Sequence, residues 1–427
     1  MTYEEIINFL YNSLPLYHKI GSAAYKPGLQ NIEALDNMCG NPHKMYLTIH
    51  VAGSNGKGSV SHTLASILQS AGYKTGLYTS PHLIDFRERI RVNGEMIPKE
   101  IVTSFTAKYM DEAKKIAPSF FEWTTEMAFE YFALSGVDIA VIETGLGGRL
   151  DSTNIISPIL SIITNISLEH TELLGNTLPL IAYEKAGIIK RAVPVVIGET
   201  EEETKDVFKI RAAELESPIF FADTENIIKS HTRLKNGHWL LSCKGYKNLE
   251  YELGGLYQLK NAVTILKAVE VLKSCGINMS EFSVRSGFMS VTKISGLHGR
   301  WEQLRENPRV ICDTGHNVGG IRYVAEQLKN EEYCKLRIVF GMVNDKDTDG
   351  VLALLPKDAE YYFTQASVQR ALPATEIQRL GEKHGLKGSC FSSVKEAYNT
   401  ALQQSSPDEL IYVGGSTFVV ADLLSAD

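Results

Sequence analysis

Short runs rich in β-branched residues, apolar at consecutive rather than alternate positions, punctuate the first part of the chain. Residues 47–51, 138–142, 160–165, 193–197 and 218–221 are the clearest. Strands buried on both faces of a parallel sheet carry this pattern, because neither face needs a polar side. Helix-like stretches such as 59–71 and 125–134 lie between them. This βαβ rhythm predicts an α/β domain whose helices cover a mainly parallel sheet. The rhythm restarts later, where residues 310–312, 337–340, 361–364 and 410–413 predict a second, smaller α/β domain. Between the two, the glycine-broken polar segment KISGLHGR (293–300) reads as a linker, which divides the chain into 1–297 and 298–427. Residues 231–253 mix polar and apolar positions in partial alternation and predict a small antiparallel ribbon.

Composition narrows the class. A chain of 427 residues implies two or three domains, and 44% hydrophobic with 22% charged residues is the balance of a folded globular protein. The net charge of -7 gives no electrostatic case for nucleic acid or an acidic membrane surface as partner. No segment approaches the roughly 18 uninterrupted apolar residues of a membrane span. The N-terminus, MTYEEIINFLYNSL, carries acids where a secretory signal needs a basic start. Cys39, Cys243, Cys275, Cys312, Cys334 and Cys390 stand singly, with no CxxC pair, so neither a zinc site nor a disulfide framework is suggested. The expectation is a cytoplasmic protein with reduced thiols.

Candidate chemistry begins at YLTIHVAGSNGKGSVSHTLASIL, which reads as strand, loop, helix. Gly53, Gly56 and Gly58 let the backbone turn and approach a ligand, with Ser54 and Asn55 between them. The helix beginning near Ser59 turns its first amides toward the loop, which is an anion site. Lys57 supplies a cation for phosphates and Ser59 a hydroxyl for magnesium. The spacing departs from the common GxxxxGK[ST] pattern: Val51 stands where its first glycine would fall, and Gly58 separates Lys57 from Ser59.

In open parallel sheets ligands gather at the carboxyl ends of strands. Three such ends here carry Glu143 (ETGLGGRLDSTN), His170 (ISLEHTELLG) and Ser80 (TSPHL). A carboxylate beside a phosphate loop suits magnesium, whereas an imidazole is not what ligand softness alone would select. Lys185, in AYEKAGIIK, is an apolar-helix lysine; near magnesium its ammonium needs neutralising or modifying. In the second domain Arg300 follows the linker, Asp313 and His316 (ICDTGHNVGG) close one strand, and Asp345, Lys346 and Asp347 (GMVNDKD) close the next. Such grouping predicts a second functional face, and a cleft between domains suits a reaction joining two substrates.

Taken together, PGLQNIEAL, HVAGSNGKGS, TSPHL, RIRVNG, ETGLGGRLDSTN, TNISLEHTELLGNTL, EKAGI, DTGHNVGG and GMVNDKD resemble the folylpolyglutamate synthase/dihydrofolate synthase family of the Mur ligase superfamily over nearly the whole chain. The resemblance implies a P-loop ATPase-like parallel-sheet domain, a smaller Rossmann-like C-terminal domain that contacts glutamate and nucleotide, and an amide ligase using ATP and Mg²⁺. In such a ligase a pterin-linked carboxylate is phosphorylated, and the amine of L-glutamate displaces phosphate. The family's phosphate loop maps onto 53–59, and its magnesium ligands onto Ser59, Ser80, Glu143 and His170. Lys185 matches a lysine that is carbamylated in the superfamily; Lys57 and His316 complete the reactive set. Asn261, Arg300 and Asp313 match nucleotide-contacting positions, and Ser119, Leu150, Asp151 and Ser152 positions that contact the pterin in bifunctional members. The family also implies a monomer acting on small molecules.

Departures bear on detail. Ser54 replaces a common threonine, Glu169 a usual aspartate, Val318 a proline after His316, and Gln30–Asn31 a Glu-Arg pair on the pterin side. That last change concerns which substrate is used, so a bifunctional enzyme and a folylpolyglutamate synthase alone both stay open. A cell-wall ligase of the superfamily would need an additional N-terminal domain ahead of the phosphate loop. A non-ligating nucleotide switch would not need the combined Lys57, Glu143, His170 and His316.

Overall fold

The computed structural model describes residues 1–15, 28–344 and 346–425; Pro27 and Asp345, which fall within the motifs above, lie outside them. The chain forms two compact units. The first comprises Met1–Glu252 and Gln258–Leu297, the second Leu253–Tyr257 and His298–Asp427.

Eight strands build the main sheet of the first unit: β1 Leu47–Ala52, β2 Thr75–Tyr78, β3 Ile90–Val92, β4 Glu95–Met96, β5 Ile139–Glu143, β6 Leu160–Ile163, β7 Val195–Ile197 and β8 Ile219–Phe221. Their order is β4-β3-β2-β5-β1-β6-β7-β8. From β2 to β8 all neighbours are parallel, with β1 paired to β5 on one side and β6 on the other. The strands at the centre are buried along their length, as their unalternating sequence predicts. β3 and β4 form an antiparallel edge hairpin that the apolar-run pattern does not predict. They span three and two residues, and Arg91 interrupts the run. The signal lies in the turn instead, where Asn93 and Gly94 both have positive φ (50° and 81°), the geometry that favours Asn-Gly in tight hairpins.

One face of this sheet packs a core that includes Leu10, Leu35, Phe105, Trp123, Phe129 and Ile142; Ile163, Ile181, Ile197 and Phe208 belong to a second core. Helix Phe120–Leu134 begins five residues before the predicted start at 125, because Ser119 and Glu122 form a reciprocal capping box. Helix Lys57–Ser70 is buried continuously from Ser59 to Leu68; two of its polar side chains bond inside, Thr63 Oγ1 donating to Ser59 O at 2.8 Å and Ser66 Oγ to Gly287 O at 3.0 Å, whereas Ser61 Oγ is buried without a partner.

The ribbon is three-stranded and antiparallel: β9 Ile228–Arg233, β10 Trp239–Cys243 and β11 Tyr246–Tyr251, in the order β11-β10-β9. Part of the segment read as linker is helical (Val291–Ser295), and the second unit takes over at His298. That unit has β12 Glu302–Glu306, β13 Arg309–Asp313, β14 Leu336–Phe340, β15 Glu360–Phe363, β16 Lys387–Cys390 and β17 Leu410–Gly414, ordered β12-β13-β17-β14-β15-β16. Only the pairing of β12 with β13 is antiparallel among them. Ile311, Ile338, Phe340, Phe363 and Tyr412 lie in its core.

Candidate active site

Because β2, β5, β1, β6 and β7 are adjacent and parallel, their carboxyl ends share one edge of the sheet. Along it stand Ser80 after β2, Glu143 closing β5, the loop from Gly53 after β1, residues 164–170 after β6, and Glu199 after β7.

The loop is fixed to its neighbour by side chains. Ser54 N donates to Asn165 O (3.0 Å), Asn55 N to Asn165 Oδ1 (2.9 Å), Ser167 N to Ser54 Oγ (2.9 Å) and Thr164 Oγ1 to Asn55 O (2.5 Å). Gly53 (φ 145°) and Gly56 (φ 83°) hold backbone conformations that favour glycine. A Cβ on Gly53 would lie 1.9 Å from Thr164 Oγ1, and one on Gly56 2.4 Å from Asn261 Oδ1. Gly56 is the N-cap of helix Lys57–Ser70 and supplies no capping side chain, which suits the first helical amides to an anion. Lys57 Nζ folds back onto Gly53 O (2.8 Å) and Ser54 O (3.3 Å).

Lys185, in the last turn of helix Leu178–Ala186, reaches the same carbonyl: Nζ donates to Gly53 O at 2.9 Å and to Glu169 Oε1 at 2.7 Å. Burial pushes its pKa down; the Glu169 carboxylate works against that shift and Lys57 adds to it. Burial opposes ionisation of Glu169, but the charges of Lys185, Lys57 and His170 outweigh it and hold the carboxyl below its ordinary range. The sequence left Lys185 to be either neutralised or modified; here Glu169, noted there only as a departure from aspartate, pairs with it.

The metal candidates are a mixed set. Ser80 N donates to Glu143 Oε2 at 3.4 Å, so these two positions adjoin. His170 opens helix Thr171–Leu174 with φ 46°, an uncommon backbone for a non-glycine residue. Ser59 Oγ accepts from Gln258 Nε2 at 3.0 Å, and Gln258 Oε1 accepts from Asn261 Nδ2 at 2.8 Å. Among the described residues no group of three or more His, Cys, Asp and Glu side chains could hold a metal ion. Hydroxyls with one carboxylate and one imidazole do not make a closed protein cage. The hydroxyls and the carboxylate fit a hard cation that brings phosphate oxygens and water with it, while the imidazole is the exception on softness.

The positions expected on the pterin side include Ser119, at the start of helix Phe120–Leu134. Ser119 caps it, and Glu122 Oε2 accepts from Ser119 N (2.6 Å) and from Asn31 Nδ2 (3.4 Å), which joins the altered Gln30–Asn31 segment to that cap. Asp151, between Leu150 and Ser152, is buried and accepts from Leu146 N (2.7 Å) and from Thr153 N (3.0 Å) and Oγ1 (2.5 Å). Thr153 Oγ1 thereby has to accept from His50 Nε2 (2.8 Å), leaving buried His50 Nδ1 without a partner. Burial and the nearby Lys190 charge push the His50 pKa down to about 3.

In the second unit Asp313 closes β13 and is buried. Its Oδ2 accepts from Tyr257 OH (2.6 Å) and Trp301 N (2.8 Å), and its Oδ1 from Gly315 N (2.7 Å). Arg300 Nη1 bonds Thr314 Oγ1, and His316 Nδ1 lies 3.0 Å from Thr314 O, so all three candidates share one strand end. Asn165 and Ser167 lie within TNISLEHTELLGNTL but had no role assigned there, Gln258 and Tyr257 lie in none of the quoted motifs, and only the folded chain brings the four to these partners.

Two family models match. Residues 51–269 match the Mur ligase middle domain and residues 299–417 the Mur ligase glutamate ligase domain. The chain belongs to the Mur ligase superfamily and, within it, to the folylpolyglutamate synthase/dihydrofolate synthase family. It is 33% identical to the dihydrofolate synthase/folylpolyglutamate synthase of Bacillus subtilis over 411 residues, covering 93% of this chain and 94% of the relative. Against a probable bifunctional folylpolyglutamate synthase/dihydropteroate synthase of Haloferax volcanii it is 32% identical over 99% of its own length but spans only 50% of that protein. Among solved structures, E. coli FolC in complex with DHPP and ADP superposes with a TM-score of 0.86 at 30% identity, covering 100% of this chain and 97% of the other.

Proposed function

We propose that this chain is an ATP-dependent amide ligase that adds L-glutamate to folates and, as a second activity, to dihydropteroate. The observation that carries the reading is the uncapped N-terminus of helix Lys57–Ser70 beneath a glycine loop, with Lys57 and Lys185 on the carbonyl of Gly53. Relatives named for both activities and a related structure with Mn, AMPPNP and L-glutamate bound support the substrates.

In the reaction, a carboxylate oxygen of the pterin substrate attacks the γ-phosphorus of ATP and ADP leaves. The glutamate amine then attacks the acyl carbon, loses its proton, and phosphate leaves with that carboxylate oxygen. The loop amides and Lys57 hold the phosphates and stabilise the charge that spreads over the transferring group. Ser59, Ser80, Glu143 and His170 would hold magnesium, which supplies further positive charge at the phosphoryl oxygens. Asn261, Arg300 and Asp313 hold the nucleotide, with His316 beside it; Ser119, Leu150, Asp151 and Ser152 border the pterin. The second unit carries the glutamate site.

Lys185 is carbamylated in the working enzyme: its ammonium first loses a proton to solvent, the neutral amine nitrogen bonds the carbon of CO₂, and a second proton leaves to solvent, so a cation becomes an anion. Burial that disfavours its ammonium supports this, and the ion pair with Glu169 must be given up. We place the protein in the cytoplasm as a monomer; its cysteines are all free, and no helix among the described residues is long and apolar enough to cross a membrane.

The test is a product count. With ATP, magnesium and glutamate, a reduced folate and dihydropteroate should each gain glutamate in mass spectrometry, one per ADP released. ATP hydrolysis with neither substrate altered would overturn the assignment.

A further inference from the structure

The segment Leu253–Tyr257 follows the ribbon but packs with the second unit. Gln327 grips it twice: Leu256 N donates to Gln327 Oε1 at 2.7 Å, and Gln327 Nε2 donates to Gly254 O at 3.0 Å. Tyr257, so anchored, packs against Tyr323 with ring centroids 6.4 Å apart and donates its hydroxyl to Asp313 Oδ2 at 2.6 Å. The next residue, Gln258, belongs to the first unit and donates to Ser59 Oγ.

We propose that Tyr257 is a positioning residue for nucleotide binding, keeping Asp313 ionised and aimed through its hydroxyl. The inference rests on the reading of Asp313 as a nucleotide contact. A carboxylate offers about four acceptor sites. Tyr257, Trp301 N and Gly315 N occupy three of them, two on Oδ2 and one on Oδ1. Oδ1 therefore retains acceptor capacity for a hydroxyl or amino group of the nucleotide, provided the group is ionised. Burial works against ionisation, while the Tyr257 hydrogen bond, the Arg300 charge and the two backbone amides favour it; the balance leaves the pKa of Asp313 above its ordinary value. Tyr412 and Cys312 also interact with its charge; burial first, and then nearby negative charge including Asp313, pushes both of their pKa values well up, so neither supplies an anion near neutrality. Tyr257 is thus the side-chain hydroxyl whose removal shifts the balance without altering a charge.

The sign follows. Loss of a donor to the charged form raises the pKa of Asp313, so nucleotide affinity is lost at higher pH as the solution is acidified. Hydrogen bonds to charged groups contribute about 1.5–3 kcal/mol, or roughly ten-fold or more. The experiment is MgADP binding by calorimetry across pH, with no turnover, for wild type, Y257F, D313N and the double variant. Y257F should bind up to about ten-fold more weakly on the acid side and approach wild type as the pH rises, an acid limb displaced upward by about one pH unit. In the D313N background Y257F should have no further pH effect. A Y257F profile parallel to wild type, or the same displacement without Asp313, overturns the proposal. If D313N binds MgADP like wild type, the underlying nucleotide reading fails instead. Circular dichroism and thermal unfolding of each variant identify a folding defect, and Y257L, which keeps bulk without a ring or hydroxyl, should share the displaced limb.

Discussion

Lys185 illustrates how a single residue's environment decides what it can do. A buried ammonium is costly, and the Glu169 carboxylate 2.7 Å away offsets that cost. The same burial favours the neutral amine, which is the form that reacts with CO₂. Carbon-labelled bicarbonate should therefore give a carbamate carbonyl signal by NMR that is absent in K185R, and ligation should fall in CO₂-depleted buffer and return when bicarbonate is restored. Activity indifferent to CO₂, with no such signal, would rule the modification out. At this scale motif residues were legible because their chemistry is local: Lys57 and Ser59 sit where a strand–loop–helix sequence must put them. Glu169 was not, because its pairing with Lys185 depends on loop 164–170 meeting the end of helix Leu178–Ala186, which no spacing in the sequence encodes.

Among the elements, helix Lys57–Ser70 and its glycine N-cap form the phosphate site proposed above. Placing alanine at Gly56 adds a Cβ 2.4 Å from Asn261 Oδ1 and forces a side chain onto φ 83°. The φ penalty is about 1 kcal/mol and the displaced Asn261 adds to it. G56A should lower thermal stability modestly while weakening MgADP binding by more than ten-fold, so calorimetry and melting of the same sample separate local distortion from global loss. Wild-type MgADP affinity in a folded G56A would contradict the role given to the loop. The parallel strands were legible because burial on both faces leaves an unmistakable apolar run. Hairpin β3–β4 was hidden by its brevity and by Arg91, although Asn93–Gly94 marked its turn. The early start of helix Phe120–Leu134 was hidden because SFFEW reads as an apolar run, while its true mark is the Ser119–Glu122 pair.

For the whole molecule, sequence pattern conveyed two α/β sheets in order, and the structure has eight strands in one and six in the other. It did not convey that Leu253–Tyr257 packs with the second unit, since five residues without charge or periodicity carry no label of the unit they join. Nor does a net charge of -7 distinguish a ligase from any other nucleotide enzyme; that distinction comes from the strand-end residues taken together and from matches to both Mur ligase domains. The central claim is that ATP activates the substrate carboxylate before the glutamate amine attacks it. Its most direct test is to supply a folate whose terminal carboxylate carries a heavy oxygen label, with ATP, magnesium and glutamate, and to weigh the released phosphate. Transfer of one labelled oxygen into phosphate for each glutamate added is the predicted result; phosphate released without label would contradict it.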